Sequence, residues 1–128
     1  MLKPGITGHE ETVVNESNTA AAMGSGSLPV FATPAMIALM EKTACRSIAE
    51  FLDENTGSVG TMLSIRHTSA TPLGMRVSCD SILTEIDGRR LVFSVKAYDE
   101  AGLIGEGTHE RFIVTNNTFL QKTEAKKT

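Results

Sequence analysis

The sequence predicts an α+β fold, with one long helix packed on an antiparallel sheet. Three observations carry that prediction. The run from Thr33 to Glu54 contains no Gly, and its only Pro is at its second position. After Gly57 come four segments of alternating apolar and polar residues, separated by turn signals. A chain of 128 residues also suits a single domain over 1–128, because a second core would be too small to hold.

The elements follow in chain order. Residues 1–9 and 121–128 read as loose ends, and Thr12-Val13-Val14 within Glu10–Asn15 marks a candidate first strand. Asn18 to Ser27 is small and polar and ends in MGSGS, which reads as a linker. Thr33 suits an N-cap, and Pro34 suits the first helical position, where its missing N–H costs nothing. The helix is expected to stop at Asn55-Thr56-Gly57. At ~100° per residue, Ile37, Ala44, Cys45, Ile48 and Leu52 fall within about 60° of Glu41. That wheel puts a carboxylate in the middle of the apolar stripe.

Everything after Gly57 reads as strand. Ser58 to Ser69 puts Leu63, Ile65 and His67 on one face, the face expected to meet the helix. Thr71-Pro72-Leu73-Gly74 is a turn, followed by a strand from Met75 to Ile86. Asp87-Gly88 signals a hairpin, since Gly tolerates positive φ. Arg90 to Tyr98 alternates through Leu91, Phe93, Val95 and Ala97. After a turn at Asp99 to Gly102, Leu103 to Thr115 forms the last strand.

Composition excludes several functions. A net charge of −3 argues against coating nucleic acid or an anionic membrane, both of which need clustered positive charge. The Lys122, Lys126 and Lys127 tail is mixed with Glu124 and reads as a solvated end. No stretch approaches ~20 apolar residues, and Met1 to Gly5 lacks a signal region. Cys45 and Cys79 have no CxxC spacing, so reduced thiols in a cytoplasmic protein are expected. His9, His67 and His109 have no second ligand at metal-binding spacing, so no metal is expected. MGSGS lacks the GxxxxGK[ST] pattern of a phosphate loop, and no repeat is present.

Three residues are chemically awkward. Glu41 on an apolar stripe costs several kcal/mol unless it is paired, hydrogen-bonded or protonated; a structural partner such as Arg66 is the plainer explanation. His67 shares a face with apolar residues, where a satisfied core histidine is the commoner outcome. Thr33 is explained by capping alone, although a capping hydroxyl can still donate elsewhere. A helix acid and a strand imidazole aimed at one layer are nonetheless a candidate acid/base pair. Gly60 precedes the His67 strand and either begins it or lets a ligand approach. His109 is open to a plain surface reading, and Arg111 on the same face to a solvated or paired one. Leu28, Val30, Phe31 and Met36 are candidates for narrowing an apolar pocket.

These residues also carry a resemblance. FATPAMIALMEKTAC, GSVGTMLSIRHTSATPLGMRV and GRRLVFSVKAYDEAGLIGEGTHERFIV, spanning Phe31 to Val114, resemble the fluoroacetyl-CoA thioesterase-like group of hot dog-fold thioesterases. MGSGSL just upstream is also similar to that group. The resemblance implies a hot dog fold, one long central helix wrapped by a curved antiparallel sheet of about five strands. It implies a homodimer, or a higher even oligomer, with sites at the subunit interface. It implies hydrolysis of acyl-CoA thioesters without a cofactor, coenzyme A being part of the substrate. Position by position, the group's catalytic Thr, Glu and His fall on Thr33, Glu41 and His67. Its substrate-contacting Gly and Arg fall on Gly60 and Arg111. Two rival readings are a hydratase or dehydratase of acyl-CoA and a non-enzymatic acyl-CoA binding protein. The first expects a short Asp/His hydratase motif, and His67 is instead followed by Thr68-Ser69-Ala70-Thr71. The second would tolerate the loss of Thr33, Glu41 and His67.

Overall fold

In the computed structural model, which describes residues 1–127, strand β1 (Thr7–Val13) precedes a short helix α1 (Ala20–Met23) and the long helix α2 (Thr33–Ile48). Strands β2 (Thr56–His67), β3 (Arg76–Asp87), β4 (Arg90–Asp99) and β5 (Gly102–Thr115) follow, and helix α3 (Asn116–Glu124) comes last. The strands form one antiparallel sheet in the order β1-β3-β4-β5-β2. The β3–β4–β5 meander results from two tight turns, at Gly88 (φ 63°) and Gly102 (φ 147°), backbone shapes that suit Gly. β2 therefore lies at an edge, beside β5. α2 packs mainly over β1 and β3, leaving the inner face of β2 thinly covered. The core between helix and sheet holds Phe31, Met36, Met40, Ile48, Leu83, Leu91, Phe93 and Ile104. Each such buried side chain contributes about 1.5–3 kcal/mol.

The α+β class, the five strands and both hairpins agree with the sequence reading, and several boundaries do not. Residues 1–9 are not all loose: Thr7 to His9 belong to β1, and Gly5 N–H and Ile6 C=O bond to Leu83. At the other end, residues 121–124 finish α3 and Ala125–Lys127 form a 3-10 turn, all exposed, while Thr128 lies outside the described residues. β1 was placed late because its inward residues are Gly8, Glu10 and Thr12 and give no apolar alternation. A Cβ on Gly8 would lie 2.8 Å from the Thr43 carbonyl, so the strand approaches α2 by having no side chain there. The expected linker contains α1, where Thr19 Oγ1 accepts from Ala22 N–H at 3.2 Å and Gly24 (φ 73°) ends the turn.

Helix α2 also departs from expectation. It ends at Ile48 and passes into a 3-10 turn at Ala49–Phe51, short of Glu54. The N-cap is Ala32, and Thr33 is the first helical residue, with its hydroxyl free for another partner. The buried stripe comprises Met36, Leu39, Met40, Thr43, Ala44 and Ile48. Glu41 flanks this stripe instead of sitting at its centre, and its side chain is 39% exposed.

Candidate active site

Two clusters lie along the helix–β2 side of the molecule. The first is at the start of α2, where Thr33 Oγ1 and His67 Nδ1 share a 2.7 Å hydrogen bond. Thr33 is held there by the Pro34-initiated first turn, and His67 is the last residue of β2. The other imidazole nitrogen, Nε2, is buried and has no partner among the described residues. Burial lowers the His67 pKa below its ordinary value of 6.5, only partly opposed by a hydrogen bond to the Ser69 backbone. The ring is therefore neutral at pH 7 and able to take a proton. A cavity of about 270 Å³ opens beside the pair, lined by Phe31, Thr33, His67 and Ser69 among others. Ala32 gives α2 no side-chain cap, so no capping side chain satisfies the positive pole at the helix start beside Thr33.

The second cluster lies further along α2. Glu41 Oε2 is 3.9 Å from Arg111 Nη1. Arg111 is 6% exposed and is held by its neighbours. Its Nε donates to Ser58 Oγ at 2.8 Å, its Nη2 to the Ser58 carbonyl at 2.8 Å, and its Nη1 to His109 Nε2 at 3.2 Å. These bonds offset the cost of taking a guanidinium out of water. His109 is fully buried and its Nδ1 donates to the Met62 carbonyl at 2.9 Å, which leaves Nε2 as the acceptor for Arg111. Burial, opposed by the Met62 bond and then reinforced by the adjacent guanidinium, lowers its pKa and keeps the ring neutral. His109 also stacks on Phe93, with ring centroids 6.2 Å apart. The surface reading of His109 is thus overturned. Its signal was available in the β5 alternation, which puts it on the face of Arg111 and Ile113 and opposite Phe93 of β4.

Gly60 completes this cluster, pairing with Arg111 across the β2–β5 ladder just before a bulge at Thr61. A Cβ at Gly60 would lie 2.5 Å from Glu41 Oε2 and 3.3 Å from His109 Cε1. Gly60→Ala is therefore expected to displace the Glu41 carboxylate while leaving the fold intact. Steady-state kinetics should show kcat/KM falling by roughly tenfold to a hundredfold, with the circular dichroism of the wild type. Wild-type kinetics would mean that the carboxylate position is immaterial.

The structure thus brings together two of the three catalytic candidates and leaves the third apart. Thr33 meets His67, whereas Glu41 meets Gly60 and Arg111. Eight residues of helix separate Thr33 from Glu41, a rise of about 12 Å. Among the described residues, Glu41 makes no hydrogen bond to Thr33 or His67 within one chain.

A five-stranded antiparallel sheet packed around one long helix is the hot dog fold, here with a Thr–His pair at the helix start. The comparisons agree. The fluoroacetyl-CoA thioesterase of Streptantibioticus cattleyicolor is 41% identical over 97 residues, which cover 76% of this chain and 70% of that protein. A solved threonine-to-serine variant of a fluoroacetyl-CoA thioesterase, in complex with acetyl-CoA, matches with a TM-score of 0.92 at 33% identity, covering 99% of this chain and 100% of that one. A thioesterase superfamily member from Thermus thermophilus matches with a TM-score of 0.91 at 30% identity, covering 99% and 94%. Residues 14–117 match the fluoroacetyl-CoA-specific thioesterase family. The chain belongs to that family and is a thioester hydrolase.

Proposed function

We propose that this chain hydrolyses a short acyl-CoA thioester to the free acid and CoA, using Thr33, Glu41 and His67 at an interface between two copies of the chain. The neutral, half-buried His67 bonded to Thr33 is the observation that carries this reading. His67 takes the proton from the attacking oxygen, which is either the Thr33 hydroxyl or a water placed by it, and returns it to the leaving thiolate; when Thr33 attacks, a water activated by His67 then cleaves the Thr33 ester, releasing the acid and restoring the hydroxyl. The positive pole at the start of α2, beside Thr33, suits the developing oxyanion. Glu41, set by Arg111 beside Gly60, orients the imidazole or activates water, and Gly60 and Arg111 contact the substrate. No cofactor enters this reading, since CoA is the leaving group.

The second copy follows from the separation of the clusters and from the bare edge. Leu63 is 37% exposed on β2, which is one of the two edge strands of the sheet. Antiparallel pairing of two β2 edges about a two-fold axis near Leu63–Ser64 sets Gly60 of one copy opposite His67 of the other. Glu41 then reaches the unpartnered Nε2 of a neighbouring imidazole, which it does not reach in its own chain. A dimer, or a higher even assembly built from it, is therefore part of the proposal.

A cytoplasmic setting fits two free cysteines, of which the buried Cys79 has its pKa pushed up to about 11 by burial and is inert. Among the described residues, no helix is long and apolar enough to cross a membrane. No group of His, Cys, Asp and Glu among them could hold a metal ion.

A short α,β-unsaturated acyl-CoA ester tests the reaction class. Free thiol should be released while the product acid keeps its double bond. Loss of enoyl absorbance without thiol release would mean hydratase chemistry instead. The pH dependence tests His67: kcat/KM should be flat near neutrality and fall in acid as the imidazole is protonated, at a midpoint that burial moves down and a neighbouring copy's carboxylate at Nε2 moves up. A kcat/KM that does not fall in acid would contradict an imidazole base.

A further inference from the structure

Phe31 stands between two hollows. Phe31 is 2% exposed and lines the cavity of about 270 Å³ that holds Thr33 and His67. The same residue lines a groove of about 290 Å³, whose apolar side is formed by Met23, Ala35, Ala38 and Leu39. The backbone fixes the ring in place: Phe31 N–H donates to the Thr71 carbonyl at 2.9 Å, and the residue bridges to Thr19. Ala35 and Ala38 lie three residues apart on one face of α2 and keep the groove open by their small size.

We propose that Phe31 sets the upper limit of acyl length, by closing the cavity at Thr33 and His67 against the apolar groove on its far side. This rests on the thioesterase reading above and names the residue that restricts its substrate class. A carbonyl held beside Thr33 and His67 leaves an alkyl tail pointing past the ring. A short tail stops there, while a longer one meets the aromatic wall and is rejected. With the wall removed, the tail enters the groove along its Met23, Ala35, Ala38 and Leu39 side, and each added methylene gains burial instead of a clash.

The test compares the wild type, Phe31→Ala, Phe31→Leu and the double variant Phe31→Ala/Ala38→Met on straight-chain acyl-CoA esters from acetyl to decanoyl, by thiol release. Phe31→Ala should raise the octanoyl-to-acetyl ratio of kcat/KM by about tenfold or more, and Phe31→Leu should raise it less. The Met side chain of the double variant refills the groove from α2 and should reverse the gain. Should Phe31→Ala fail to fold, the Phe31→Leu shift decides the matter. An unchanged ratio in a folded variant that still cleaves acetyl-CoA overturns the proposal and leaves the thioesterase reading standing. A folded variant inactive on every ester also overturns it, because removing a wall leaves the chemistry in place. A wild type that releases thiol from no ester overturns both.

Discussion

Glu41→Ala should lower kcat by at least about a hundredfold, or about 2.7 kcal/mol of transition-state stabilisation, with fold and assembly unchanged. The expectation comes from placement. Glu41 is on the flank of the α2 stripe, 39% exposed in the single chain, so its loss removes no core packing. What the side chain does have is a fixed neighbour, with Arg111 Nη1 at 3.9 Å, on a guanidinium that Ser58 and His109 hold rigidly. Three hydrogen bonds positioning one cation against one carboxylate are more than an exposed surface ion pair requires, since such pairs contribute about 0–1 kcal/mol. Near-normal turnover by a folded Glu41→Ala assembly would remove Glu41 from the mechanism. Retained turnover in Glu41→Gln would show that its hydrogen bonding suffices without its charge.

Mixing two inactive variants should restore activity. Glu41→Ala and His67→Ala chains each lack one member of the set, and co-expression yields assemblies in which one chain supplies Glu41 and the other His67. With random pairing, half the dimers are mixed and one of the two sites in each is complete, so about a quarter of wild-type activity returns. Thr33 and Glu41 are separated by a rise of about 12 Å along a straight helix, while Thr33 is bonded to its own His67. Activity in the mixture no higher than in either parent would place all three residues in one chain and require Glu41 to act at a distance.

Much of the fold was legible because its signals are local. Thr33-Pro34 announces α2, Asp87-Gly88 announces the β3–β4 turn, and Leu91, Phe93, Val95 and Ala97 alternate as a strand buried on one face. The helical wheel identified which residues share a face but not which face the sheet covers. The sheet covers the Met36–Met40–Ala44 side and leaves Glu41 at the flank. β1 was blurred because Gly8, Glu10 and Thr12 point inward, where close backbone approach replaces apolar packing. In the site, the Thr33–His67 contact and the Gly60–Arg111 pairing join residues remote in sequence, and the motifs named them without their geometry. His109 is open to a surface reading because a polar residue inside a strand suits solvent, and its alternation with Arg111 and Ile113 is the signal that points inward. Its neutral ring, bonded to Met62 and Arg111, sets the guanidinium that faces Glu41.

Cleavage of a short acyl-CoA thioester frees the thiol of CoA, which can be followed directly. The wild-type protein would be incubated at neutral pH with acetyl-, propionyl-, branched, aromatic and long-chain acyl-CoA esters, and the thiol followed with a thiol-reactive dye. The account predicts release that is fastest with the short esters. No release from any ester by the folded assembly would contradict it.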